Sequence, residues 1–172
     1  RSLLREKTAV GFLEKKIMKK HIEFVLNGEK RGVDLESSQT LLEMLREKLG
    51  IMSPKCGCDR GDCGSCTVML DGRTVRSCLV LAAEVDGCEV KTLEGLMPGG
   101  ELSTLQKSFL SHNSFQCGFC TPGMILSVSE LLEKNPHPDP DEIKEALSGN
   151  LCRCTGYIPI IEAVVDHTKR GE

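Results

Sequence analysis

Eight of the ten cysteines in this 172-residue chain fall into two groups of four. Cys58, Cys63 and Cys66 crowd one short stretch and Cys78 follows; Cys117 and Cys120 form a pair, and Cys152 and Cys154 another. A fold that uses these groups must bring four thiols together twice. The length has room for one ordinary domain or two small ones. Small domains bury little apolar surface and usually need a staple, which a metal site can supply. The redox compartment decides between metals and disulfides. The first sixteen residues hold no secretory apolar core, because Glu6, Lys7, Glu14, Lys15 and Lys16 interrupt it. No apolar stretch approaches the roughly 20 residues of a membrane helix. The expected setting is a reducing cytoplasm, where dense cysteine points to metal or redox chemistry.

Charge and aromatic content exclude a nucleic-acid role. The net charge is −3, with one Tyr, no Trp and five Phe. Nucleic-acid binding calls for a basic face, and single strands also need stacking platforms. Positive charge gathers only in residues 1–20, with seven basic against two acidic side chains. Leu3, Leu4, Val10, Leu13 and Ile17 could line one side of a helix there. The segment reads as a docking arm, as the tail of an upstream domain or, preferably, as a loosely ordered basic extension.

Two kinds of periodicity divide the rest. Ile22, Phe24 and Leu26 alternate with Glu23, Val25 and Asn27, which predicts a strand, and Asn27-Gly28 predicts a hairpin turn. Val33 and Leu35 lie on the return strand. Thr40 and Glu43 form a capping box opening a helix with Leu41, Leu42, Leu45 and Leu49 on its buried stripe and Gly50 at its end. Strands are expected at 67–70, 74–77 and 88–92. Together these make a small α+β sheet domain over residues 21–94. Residues 95–102, rich in glycine, read as a linker. From residue 103 to 172 the period is helical. Ser103 and Gln106 form a second capping box, Thr121 is the expected N-cap of a helix with Pro122 at its first position, and Asp139-Pro140 starts another. A fourth helix is expected over 159–167. Four short helices with short connections predict a compact bundle.

The first tetrad has the Cys-x4-Cys-x2-Cys…Cys spacing of plant-type [2Fe–2S] sites. Gly57, Gly61, Gly64 and Ser65 are small enough for a loop to wrap such a cluster, and backbone N–H groups can point at its sulfur. Zinc is the alternative. Structural zinc sites usually pair cysteines two to four residues apart, which fits this loop less well. No histidine stands at ligand spacing from a cysteine, so His21, His112, His137 and His167 read as surface or cap residues. Cys56 and Cys88 are left over as free thiols.

The second tetrad is less specific by spacing alone. Cys117 and Cys120 precede the expected helix start, where partial positive charge favours thiolate. Cys152 and Cys154, one residue apart, imply a bent loop. Two inter-helix loops can meet at one end of a bundle. A Cys-x2-Cys redox pair is the competing reading.

Longer words carry more. Gly57-Cys58-Asp59-Arg60-Gly61-Asp62-Cys63-Gly64-Ser65-Cys66-Thr67-Val68, Ser77-Cys78-Leu79, Gln116-Cys117-Gly118-Phe119-Cys120-Thr121-Pro122-Gly123-Met124 and Gly149-Asn150-Leu151-Cys152-Arg153-Cys154-Thr155-Gly156-Tyr157 occur in that order. Over about residues 20–168 the chain closely resembles the small iron–sulfur subunit of the molybdenum hydroxylases, the family of xanthine dehydrogenase, aldehyde oxidoreductase and aerobic carbon monoxide dehydrogenase. The resemblance implies an α+β chain: a β-grasp, plant-type ferredoxin domain followed by a four-helix-bundle [2Fe–2S] domain. It implies that Cys58, Cys63, Cys66 and Cys78 hold the cluster nearer a flavin. It implies that Cys117, Cys120, Cys152 and Cys154 hold the cluster nearer molybdenum, with Gln116 and Cys154 touching the molybdopterin cofactor. A large molybdopterin-binding subunit and a medium FAD-binding subunit are the implied partners, in a dimer of heterotrimers. The chain then relays single electrons and has no catalytic residue of its own. A free two-cluster ferredoxin and a zinc-stapled interaction module are the rival readings.

Overall fold

The computed structural model describes residues 19–169. The expectations for residues 1–18 lie outside the described residues. Strand β1 (Lys19–Leu26) and strand β2 (Glu29–Glu36) pair antiparallel from Lys19 opposite Glu36 to Leu26 opposite Glu29. The hairpin turn forms where expected. Asn27 and Gly28 adopt φ of 53° and 85°, the left-handed pair that a two-residue turn needs to match strand twist. Strands β3 (Thr67–Leu70), β4 (Arg73–Arg76) and β5 (Glu89–Lys91) complete a five-stranded sheet in the order β2-β1-β5-β3-β4. Only the β1–β5 pairing within it is parallel.

Helix α1 (Leu41–Glu43) begins at the expected capping box: the Thr40 hydroxyl accepts from Glu43 N, and the Glu43 carboxylate accepts from Thr40 N. It continues as a π-helical turn over Met44–Lys48, closed by Leu49 N donating to Met44 O at 3.2 Å. Met44 lies in the core beside Leu41 and Leu45. The expected stripe of Leu41, Leu42, Leu45 and Leu49 left Met44 out, although Met44 stands three residues after Leu41 and so shares its face. Ile22, Phe24 and Leu26 of β1, with Leu35, Val68 and Val90, supply the facing wall.

Helices α2 (Thr104–Ser111), α3 (Thr121–Lys134), α4 (Pro140–Leu147) and α5 (Ile158–Lys169) surround a second core of Leu105, Phe109, Met124, Ile125, Val128, Ile143, Leu147, Ile160, Ala163 and Val164. Ser103 and Asp139 cap α2 and α4 with complete capping boxes. The start of α3 departs from expectation. Cys120, not Thr121, is its N-cap, in αR conformation with no side-chain cap. Thr121 is already helical, so Pro122 takes the second helical position, where its missing N–H is still harmless.

Residues 95–100 are folded into turns. A 3₁₀ helix spans Leu93–Leu96, and Leu93 and Leu96 pack against the helical core. Glycine here supplies positive φ, at 65° and 82° for Gly99 and Gly100. The first half of α3 is buried on nearly all sides, Pro122 through Val128, because its far face lies on the sheet. Thr74 of β4 donates through N and Oγ1 to the Glu130 carboxylate at 2.9 and 2.5 Å. Among the described residues no helix is long and apolar enough to cross a membrane.

Candidate metal centres

The first tetrad assembles between the helix and the sheet. Cys66 immediately precedes β3 and Cys78 follows β4, so the β3–β4 hairpin brings their sulfurs to 3.4 Å. Both are nearly buried, at 2% and 7% exposed, against Leu42 of α1. Cys58 and Cys63 form the outer pair. The backbone N–H groups of Arg60 and Cys63 converge on the Cys58 sulfur and pull its pKa down to about 7, the Cys63 contact being 3.4 Å long. Burial, and then the neighbouring Cys66, push Cys78 up to about 12.

The small residues of this loop have separate reasons. A Cβ on Gly57 would stand 2.9 Å from the Cys63 sulfur, so Gly57 keeps space beside the thiol, as the sequence predicts. Gly61 and Gly64 have φ of 86° and 72°, and their missing side chains make room elsewhere. Gly61 faces Leu79; Gly64 faces Gly149 O and Asn150 of the helical half. The space at Gly64 serves contact between the two halves.

The second tetrad draws on both expected loops. Cys154 and Cys117 bring their sulfurs to 3.7 Å and are both exposed. Cys120 is buried; desolvation, and then its contact with Cys152, push it up to about 12. Partial desolvation opposes ionisation of Cys152, but the Thr155 hydroxyl at 3.3 Å and the N–H groups of Thr155 and Cys154, each at 3.4 Å, bring it down to about 7. The Tyr157 hydroxyl accepts from Cys152 N and donates to Asn150 O, holding the bend while Tyr157 itself adopts φ of 72°. Gln116 is exposed beside the outer pair, its Nε2 donating to Cys154 O at 3.2 Å.

In both places the thiols come as two pairs. Among the described residues no three His, Cys, Asp or Glu side chains converge on one mononuclear point. Zinc asks four ligands to share one ion, whereas a [2Fe–2S] cluster gives two thiolates to each iron. Paired thiols, N–H donors aimed at sulfur and a glycine beside Cys63 fit the binuclear group. The expected surface histidines are elsewhere: His21 pairs with Asp34 at 2.7 Å on the sheet. Cys56 is exposed, and Cys88 is half-buried near the Glu84 carbonyl.

The two loops touch. Leu151 N donates to Cys63 O at 2.9 Å. Asn150, 1% exposed, donates through Nδ2 to Gly64 O and Thr67 Oγ1, and accepts from Ser127 through Oδ1. Arg76 bridges the same seam, donating to Thr67 Oγ1 and Gly149 O. Sequence reasoning read Asn150 only as part of a helix end with Gly149, and assigned no role to Tyr157, Thr155 or Arg76. The first three lie inside the longer motif words, which was the available clue; for Arg76 there was none.

This is the architecture of a two-centre iron–sulfur protein. Residues 24–99 match the family of 2Fe-2S iron-sulfur cluster binding domains, and residues 92–165 match the [2Fe-2S] binding domain. The small subunit of nicotine 6-hydroxylase from Paenarthrobacter nicotinovorans is 50% identical over 145 residues, covering 84% of this chain and 87% of the relative. The small FeS subunit of nicotinate dehydrogenase from Eubacterium barkeri is 50% identical over 143 residues, covering 83% and 91%. Quinoline 2-oxidoreductase from Pseudomonas putida 86 contains a chain superposing with a TM-score of 0.84 at 45% identity, over 90% of this chain and 98% of that one. The chain belongs to the family of small iron–sulfur subunits of the molybdenum hydroxylases. It is an electron-transfer subunit of a molybdenum-dependent oxidoreductase, and its cofactors are two [2Fe–2S] clusters. Its relatives are small subunits of multi-subunit enzymes.

Proposed function

We propose that Cys58, Cys63, Cys66 and Cys78 hold one cluster and Cys117, Cys120, Cys152 and Cys154 the other, and that the chain conducts single electrons between a molybdenum cofactor and FAD borne by partner subunits. Each cluster supplies one-electron chemistry when bound. This chain's residues supply position and environment. Cys66 and Cys78 exclude water from the inner side of the first site, and the N–H groups around Cys58 and Cys152 stabilise added negative charge. The observation that carries the two-centre reading is the Leu151 N to Cys63 O hydrogen bond. It joins a cysteine of one tetrad to the neighbour of a cysteine of the other by a continuous covalent and hydrogen-bonded path.

In finer terms, residues 21–94 form a β-grasp ferredoxin domain and residues 103–172 a four-helix domain. The exposed Gln116 and Cys154 face the molybdopterin on a large subunit, while the Cys58 side faces FAD on a medium subunit. The assembly is a dimer of heterotrimers in the cytoplasm. Substrate selection belongs to the large partner, so no residue here performs acid–base chemistry. Purification of the native protein tests the reading. The expected result is a brown complex with two larger chains, flavin, molybdopterin, and iron and acid-labile sulfide in equal amounts. A lone carrier without partners would favour a free ferredoxin; colourless protein holding zinc without sulfide would remove the iron–sulfur assignment.

A further inference from the structure

The loop before the first tetrad carries a cation directed at the other tetrad. The Lys55 backbone N donates to Ser65 O at 2.9 Å, and its Nζ donates to Ser53 O at 3.1 Å, so both the backbone and the ammonium are held. Its Nζ stands 5.7 Å from the ring centroid of Phe119, which lies between Cys117 and Cys120. That is within cation–π range. Cys120 and Cys117 of the other tetrad are among the groups that act on Lys55. Two other charges face it, Arg46 and Glu94. Arg46 donates to Pro54 O at 2.8 Å, and Glu94 accepts from Ser53 N and Ser53 Oγ. The loop therefore presents an ordered, half-buried ammonium to a site built by the other half of the molecule.

We propose that Lys55 sets the reduction potential of the cluster held by Cys117, Cys120, Cys152 and Cys154. The proposal rests on the ligand assignment above. Reduction adds one electron and makes that site one unit more negative. A nearby fixed cation stabilises the reduced form more than the oxidised form. The Phe119 ring and the partial burial of Lys55 limit the water that would otherwise screen this attraction. Glu94 works against it, so the two side chains form an opposed pair about the Ser53–Lys55 loop. The sheet half thus tunes the centre of the helical half through a side chain that ligates neither cluster.

The test is an EPR-monitored redox titration of the intact multi-subunit enzyme with dithionite as reductant, comparing Lys55→Gln, Lys55→Arg and Glu94→Gln. The signal of the helical-half cluster is the one removed by Cys154→Ser. Lys55→Gln should lower the midpoint of that signal by about 59 mV, a tenfold change in the reduced-to-oxidised ratio of a one-electron couple, and leave the other signal in place. Lys55→Arg should stay near wild type, and Glu94→Gln should move the same signal upward. An unchanged midpoint in Lys55→Gln, equal movement of both signals, or Lys55→Arg moving as far as Lys55→Gln would overturn the proposal. If Lys55→Gln loses the signal, the direction of the Glu94→Gln shift decides. Absence of two distinguishable signals in the wild type would instead remove the ligand assignment.

Discussion

The two tetrads are assembled by opposite routes. In the first, three cysteines belong to one loop and the fourth arrives across a β-hairpin, so local chain geometry does most of the work; its inner pair is buried between helix and sheet. In the second, two separate loops must be brought together by helix packing, and Cys117 and Cys154 are exposed. The difference shows how site and fold depend on each other. The first site needs its own loop and one hairpin. The second needs the whole helical core and the seam with the sheet, because Asn150, Arg76 and the Leu151–Cys63 hydrogen bond set where the Cys152 loop lies.

The largest effect tests whether the sites are separate. Cys154→Ser should abolish or reshape one of two EPR signals, and Cys66→Ser the other, each leaving its counterpart. Loss of both from either single change, in protein with a native circular dichroism spectrum, would break the division. Next comes the seam. Asn150→Ala leaves buried partners of Nδ2 and Oδ1 without hydrogen bonds, costing about 1–3 kcal/mol for each orphaned group. Thermal unfolding should show a lower Tm, with the transition of the helical half falling most. If both halves shifted equally, the dependence would be mutual. The smallest effect lies at Glu130. Lys134 and Thr74 hold its carboxylate below the usual range against the opposing desolvation. A depressed folded pKa gives stability that is present above the unfolded value, about 4.3, and is lost as pH falls through the folded one. Glu130→Gln should therefore cost about 1 kcal/mol near neutrality and progressively less below pH 4. A Tm difference from wild type that persisted undiminished into acid would show that the contact does not depend on charge.

Much of this was legible from sequence where the cause is local. The Asn27-Gly28 turn, the capping boxes at Thr40 and Ser103 and the helix start at Asp139 formed as read, because each closes within a few residues. The π-helical turn over Met44–Lys48 was not legible, since a 3.6-residue pattern assumes a regular helix. The N-cap at Cys120 in place of Thr121 was not legible either: residue preference favours a hydroxyl cap, whereas Cys120 caps in αR conformation with no side-chain hydrogen bond. Gly64 was read as clearance for a cluster. Its space is taken by Gly149 and Asn150, more than eighty residues away, which no local pattern encodes.

By itself the sequence determined the inventory. It set which thiols exist, the tight spacing of the first loop, the caps that start helices and the motif words that mark the family. Tertiary structure alone decided that the thiols stand as pairs, that Cys63 and Leu151 share a hydrogen bond, and that Lys55 Nζ lies over the Phe119 ring. The physical reason is range. Spacing and capping are set within one or two turns of chain, whereas pairing, burial and electrostatic direction depend on contacts that exist only after distant segments have packed.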